Sequence, residues 1–323
     1  MCLAAIALDQ SRRFPLVIAA NRDEFYKRPA ARLSWWSPGA GLPDVLGGRD
    51  LEAGGTWLGL TAKGRLALIT NVRNPGNNDP SAPSRGAIVS RWLAGDMSAD
   101  RFWMHTALSG YNGFNLIAAD FLRGECFFAS SQDNTPVRLE RGLYGLSNAT
   151  LDTPWPKVTT LKDRVRDAIE GAESLDSLAV ELFDALGDRT PAADALLPAT
   201  GISPELEKSL SSAFIRTPDA NYGTRSTTLV ITERVNKRLV THVLERTYSP
   251  TGGMALLRRS SLKDWPPRYT EDSAATATAQ GAVTESEDGP IEHGGSTEPA
   301  RKTRVRSLLK PEGSRRRRQT IGA

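Results

Sequence analysis

The chain reads as an α+β body, mostly antiparallel sheets with helices packed outside them. Three observations lead there. Two near-continuous apolar runs, 2–8 (CLAAIAL) and 14–20 (FPLVIAA), are joined by the polar turn DQSRR, a hairpin pattern. Their unbroken hydrophobicity implies cover on both faces of the sheet. Helical periodicity fills the middle of the chain and strands return after it, which departs from the regular alternation of a parallel-sheet fold.

The elements follow in order. After the first hairpin, glycine pairs at Gly47, Gly48 and Gly54, Gly55 punctuate the chain, serving turns, bulges or close approach of a ligand to the backbone. TWLGLT and RLALITN form a second hairpin around Ala62, Lys63 and Gly64. SRGAIVSRWLAG has a serine start and a glycine stop, and SADRFWMHTAL is a second helix. FNLIAAD, ECFFASS and RGLYGLSNA read as strands. From Pro154 a longer helix carries Trp155, Val158, Leu161, Val165 and Ile169 as one apolar stripe. LDSLAVELFDAL is another helix, and SPELEKSL a short one with Ser203 as cap and Pro204 in its first turn. STTLVITE and RLVTHVLERTY close the body as a hairpin. There is no internal repeat, no GxGxxG after a strand and no P-loop.

Of 323 residues, 39% are hydrophobic, enough for a sizeable core if the polar part is segregated. It is segregated at the end. From about Pro266 large apolar residues nearly vanish, and such a segment cannot bury enough area to offset its ordering entropy. The expected organisation is a body over 1–250, a linker over 251–265 and a disordered tail over 266–323. The net charge of +4 hides a division in that tail. Seven carboxylates face Arg268 alone between 266 and 300, and nine lysines or arginines face Glu312 alone from 301 onward. No nucleic-acid partner is therefore expected for the body. The run Arg315 to Arg318 suits an acidic partner, or no partner as a solvated tail. Two cysteines, Cys2 and Cys126, make no disulfide framework and no zinc pattern. His105, His242 and His293 are far apart, so no metal site is expected. No apolar run spans a bilayer and CLAAIAL is too short for a signal peptide, so the expectation is cytoplasmic.

Chemistry concentrates in two stretches. Cys2 follows the initiator methionine, which is commonly trimmed before a small residue. One residue then offers a thiol nucleophile and an α-amine of pKa about 8 to act as its base. The alternative is a small core residue opening a buried strand. Asn21, Arg22, Asp23 and Glu24 follow the second apolar run, and the hairpin returns them to the end where Cys2 begins. Arg22 would stabilise a thiolate or bind a substrate carboxylate, and Asp23 would hold the amine. The alternative is a charged loop capping a sheet edge. Polar residues also stand beside later strands: Asn71 and Arg73, Asn148, and Arg225. An asparagine amide is a usual oxyanion donor, and also a usual strand-to-turn residue. Trp35, Trp36 and Trp57 would line an apolar pocket or pack in the core.

MCLAAIAL…LVIAANRDEFYKRPA resembles the NRDE family, the transport and Golgi organisation protein 2 family, named here by Asn21 to Glu24. GGRDLEAGGTWLGLT, ALITNVRNP, SRGAIVSRWL, YNGFNLIAAD, YGLSNATLDTPWPKV and TRSTTLV resemble its further blocks, over roughly residues 1–250. The resemblance implies an αββα N-terminal-nucleophile-hydrolase-like sandwich. By analogy with enzymes of that fold, Cys2 would be the nucleophile, flanked by Arg22 and by Asp23 or Glu24. Asn148 would donate to the oxyanion and Arg225 would orient the site. Asn21, Glu24, Asn71, Arg73 and Trp57 are the expected substrate-binding residues. Two functions follow as expectations: an amidohydrolase acting on a non-peptide C–N bond of a small molecule, with no cofactor, or a non-catalytic carrier of haem or another hydrophobic carboxylate-bearing ligand. The resemblance brings no settled reaction; eukaryotic members of the family are linked to Golgi organisation and secretion, to mitochondrial and lipid metabolism, and to movement of haem.

Overall fold

A computed structural model describes residues 2–267. In chain order the strands are β1 (Cys2–Leu8), β2 (Leu16–Phe25), β3 (Ala30–Trp36), β4 (Val45–Asp50), β5 (Leu58–Thr61) and β6 (Arg65–Asn71). Helices α1 (Gly86–Ala94) and α2 (Ala99–Ala107) follow, then β7 (Phe114–Asp120), β8 (Glu125–Ser130), β9 (Val137–Arg138) and β10 (Gly142–Leu146). Next come α3 (Pro156–Gly171), α4 (Leu175–Leu186) and α5 (Pro204–Ser209), and last β11 (Tyr222–Val235), β12 (Arg238–Tyr248) and β13 (Met254–Lys263).

The strands form two wholly antiparallel sheets. One has the order β10-β1-β2-β11-β12-β13, the other β3-β4-β5-β6-β7-β8-β9. Side chains on a strand alternate faces, and the apolar residues sort accordingly. On β1 and β2, Leu3, Ala5, Ala7, Val17 and Ala19 pack against α3 and α4, with the expected stripe Val158, Leu161, Val165 and Ile169. Their neighbours Ala4, Ile6, Leu16 and Ile18 face the other way and meet Leu46, Leu60, Leu68 and Ile117 of the second sheet. On that sheet's outer side Val45, Ala67 and Leu116 pack beneath Ile88, Trp92 and Phe102 of α1 and α2. Helix, sheet, sheet and helix thus stack in four layers, the αββα order expected.

Local signals explain the helix ends. Ser174 Oγ accepts from the Ser177 N–H at 3.0 Å and Ser177 Oγ returns the bond to the Ser174 N–H at 3.0 Å, a capping box that starts α4. Ser203 Oγ accepts from the Leu206 N–H at 3.3 Å and Pro204 opens α5.

Two expectations need correction. The alternative reading of Asn21 to Glu24 as a charged loop does not hold: β2 runs through them to Phe25, and they pair with β11 on their far side. The segment 251–265 is not a linker either. Met254–Lys263 pairs with β12 from Val240↔Lys263 to Tyr248↔Met254 as the edge of the first sheet. It escapes a reading by alternation because most of its residues are exposed on both faces. Trp265 then plugs the space between the sheets, 2% exposed, its Nε1–H donating to Thr61 C=O at 2.8 Å and its ring edge-on to Phe121. The acidic and basic tail expected beyond lies outside the described residues.

Candidate functional site

β1 and β2 pair with Cys2 opposite Arg22. By the two-residue period Cys2 shares the inter-sheet face with Ala4 and Ile6, and Arg22 shares it with Ile18 and Ala20. Asn21 and Asp23 fall on the opposite face, towards the α3–α4 layer. Cys2, Arg22, Asp23 and Glu24 stand at one end of a cavity of about 450 Å³, with Trp57, Asn71, Arg28 and Arg85 among the other residues of its wall.

The Arg22 guanidinium lies over the Trp57 ring at 4.2 Å, with Glu24 at 3.8 Å. Trp57 lies there because residue 48 is glycine: a Cβ on Gly48 would stand 2.3 Å from the ring. Gly55 does a similar service for the cavity wall, since its Cβ would stand 2.5 Å from the Gly86 backbone at the start of α1. Arg28 ties down three carboxylates, Asp50 at 2.8 Å, Glu52 at 2.9 Å and Glu24 at 3.9 Å.

Behind this wall the polar groups are stitched together. Asp23 Oδ1 accepts from Thr224 Oγ1–H at 2.7 Å, and its C=O accepts from Tyr222 O–H at 2.8 Å. Burial pushes the Asp23 carboxyl up, opposed by Lys157, by the Thr224 bond and by Arg22. Burial likewise pushes the Cys2 thiol up, with Arg22 pulling it down. Lys157, in the first turn of α3, is buried, and its Nζ donates to Leu210 C=O at 2.9 Å. Its pKa is lowered to about 8 by burial, against the attraction of Asp23. Cys126, by contrast, is pushed up to about 12 by burial.

Of the ten residues expected at the site, the structure brings six to the cavity: Cys2, Arg22, Asp23, Glu24, Trp57 and Asn71. The other four line other surroundings. Asn21 donates from Nδ2 to Leu186 C=O and Ala213 C=O, both at 2.9 Å. Asn148 donates from Nδ2 to Asn71 C=O at 2.8 Å, and its own C=O accepts from the Arg73 N–H at 2.7 Å. It thereby ties the end of β6 to the end of β10, where Ser147 Oγ–H also reaches Cys2 C=O at 3.1 Å. Arg73 turns into the body, buried against Glu207 in an ion pair and over the Trp155 ring at 4.9 Å. Arg225 sits at the bulge between Thr224 and Ser226 and donates from Nη1 to Phe25 C=O at 2.7 Å and Arg28 C=O at 2.9 Å. Sequence reasoning missed Arg28, Arg85 and Lys157. Arg28 carried a readable signal, standing four residues after Glu24. Trp36 packs beneath Arg49 at 4.8 Å, and Trp35 is exposed at the surface.

Two antiparallel sheets face to face with helices on both outer sides define the class, a four-layer αββα sandwich. Within that class the chain belongs to the family described as Transport and Golgi organisation 2, which matches residues 1–250. The Transport and Golgi organization protein 2 homolog of Bos taurus is 36% identical over 252 residues, covering 72% of this chain and 89% of its own. The Homo sapiens homolog is 34% identical over 256 residues, with the same coverage of 72% and 89%. Among solved structures, a variant of the conjugated bile acid hydrolase from Clostridium perfringens matches at TM-score 0.43 and 10% identity, covering 83% of this chain and 98% of that one. Among the described residues no helix is long and apolar enough to cross a membrane.

Proposed function

We propose that the chain is an N-terminal-cysteine amidohydrolase acting on a non-peptide C–N bond through an acyl-enzyme. The observation that carries this reading is the register Cys2↔Arg22, which sets a thiol and a ring-stacked cation on the same face in the wall of one cavity that Asp23 also lines. Once Met1 is removed, the Cys2 amine takes the thiol proton and the thiolate attacks the substrate carbonyl. The amine then returns the proton to the leaving nitrogen as the C–N bond breaks. Water, deprotonated by the same amine, hydrolyses the resulting thioester. Asp23 holds the amine in place, and Arg22 favours the thiolate. Asn71 lines the cavity and takes the oxyanion-donor role expected of Asn148, which supports it from behind through its bond to the Asn71 carbonyl.

The carrier reading finds less support. Arg225, one of the two cations assigned to haem propionates, bonds backbone carbonyls instead. His105 is exposed on α2 and His242 bonds Ser261 on β13, both away from the cavity wall.

The test is intact mass and peptide mapping after brief iodoacetamide treatment at neutral pH. The expected result is loss of Met1 and one label on Cys2 well before Cys126, with Cys2→Ala unlabelled. A processed chain whose Cys2 stays unlabelled at neutral pH would sink the hydrolase.

A further inference from the structure

The three arginines of the cavity wall are not equivalent. Arg22 has the Trp57 ring and Glu24, and Arg28 has Asp50, Glu52 and Glu24. The Arg85 side chain, half-buried at the start of α1, makes one hydrogen bond, from Nη1 to Gly113 C=O at 3.1 Å. Among the described residues no carboxylate comes within 4.0 Å of it, the distance at which every other cavity arginine is paired. The wall's carboxylates are otherwise engaged. Glu24, Asp50 and Glu52 are tied to Arg28, Asp23 accepts from Thr224, and Asp79 Oδ1 accepts the Ser81 N–H at 2.8 Å and O–H at 2.7 Å.

A guanidinium presents five N–H donors in a planar fork that matches a carboxylate bidentately. Withdrawing one from water without an anion is costly, and burial pushes the Arg85 pKa down, with Glu24 and Cys2 opposing the fall and Arg28 adding to it. We propose that Arg85 is the anion anchor of the Cys2 site, so that the substrate is an amide bearing a carboxylate or comparable oxyanion. This rests on the hydrolase reading for the word amide; the anion anchor itself stands on the cavity. A neutral ligand that displaces water leaves Arg85 uncompensated, whereas an anionic one completes the charge balance of the wall. Cys2 and Arg85 share the same cavity of about 450 Å³, within the size range of small-molecule sites.

Two alkylating agents that differ in one charge test this. Iodoacetate and iodoacetamide both lose iodide to the Cys2 sulfur, but only iodoacetate brings an anion. The ratio of their rates at Cys2, normalised to the same ratio for free cysteine, is expected to fall at least about threefold in Arg85→Gln. Arg85→Lys should keep part of the preference, and added salt should weaken it in the wild type. An unchanged ratio in Arg85→Gln overturns the anchor, and a wild-type urea-unfolding midpoint in that variant shows that the body is still folded. A second readout does not need a reactive thiol: sodium butyrate should raise the melting temperature of the wild type more than butyramide does, and Arg85→Gln should abolish the difference. If neither reagent labels Cys2 but the butyrate effect depends on Arg85, the hydrolase falls and the anion anchor stands. Equal effects of butyrate and butyramide on the wild type overturn the anchor.

Discussion

Asn21 was expected to touch substrate, yet the fold gives it a different duty. Its Nδ2 donates to Leu186 C=O, in the last turn of α4, and to Ala213 C=O, each at 2.9 Å. Its Oδ1 accepts from Thr227 Oγ1–H at 2.5 Å. Only 1% of Asn21 is exposed, so water cannot replace these partners without opening the core. Asn21→Ala strands two buried carbonyls. Thr227 keeps a second partner, the Tyr248 hydroxyl at 3.1 Å, and loses less. Each stranded buried group costs about 1–3 kcal/mol, so the loss is about 2–6 kcal/mol, a large share of a stability of about 5–15 kcal/mol. In a domain of this size that lowers the melting temperature by roughly 4–24 °C. Asn21→Asp should be worse at neutral pH, because a carboxylate has no N–H for either carbonyl, and should recover part of the loss when acid restores one donor. Urea unfolding of the three proteins measures this, with the iodoacetamide rate at Cys2 as a control for the site. A loss below about 1 kcal/mol for Asn21→Ala would refute the assignment of these bonds as the residue's role.

Three further predictions concern the body. An unfolded lysine titrates near 10.4, whereas burial lowers Lys157 to about 8 in the fold, so between those values the unfolded chain binds more protons and this residue's contribution to stability rises with pH. Comparing wild type with Lys157→Met in urea from pH 7 to 10 should therefore shift the difference in the wild type's favour by up to about 3 kcal/mol, and a constant difference contradicts it. Trp265→Ala removes a fully buried indole and its bond to Thr61, and is expected to cost about 3–5 kcal/mol. A chain ended at residue 250 should lose cooperative thermal unfolding, and a normal calorimetric transition from it would show that β13 and Trp265 are dispensable.

The parts of the site that lay open in the sequence depend on short-range rules. Two apolar strands joined by a short turn can pair only so that the chain's start meets the end of the second strand, which brings Cys2 to Arg22. The same signal was ambiguous at Asn71, Arg73, Asn148 and Arg225, all polar residues next to strands. Local pattern cannot say which of these faces a cavity. Arg73 is drawn inward by Glu207, 134 residues away, and Arg225 by a bulge that aims it at the carbonyls of Phe25 and Arg28. β13 was illegible for the opposite reason: an edge strand exposed on both faces needs no alternation, so its sequence carries none.

The sequence by itself determined the family, the antiparallel hairpin of β1 and β2, the apolar stripe of α3 and the end of the sheet at which Cys2 meets Arg22. These follow from side-chain period and chain connectivity, which act over a few residues. Tertiary structure alone decided which polar side chains face the cavity, which are consumed as struts, and that among the described residues Arg85 faces it without a carboxylate of its own. A buried polar group takes whichever partner the packing of distant elements presents, and that choice is written in no single segment.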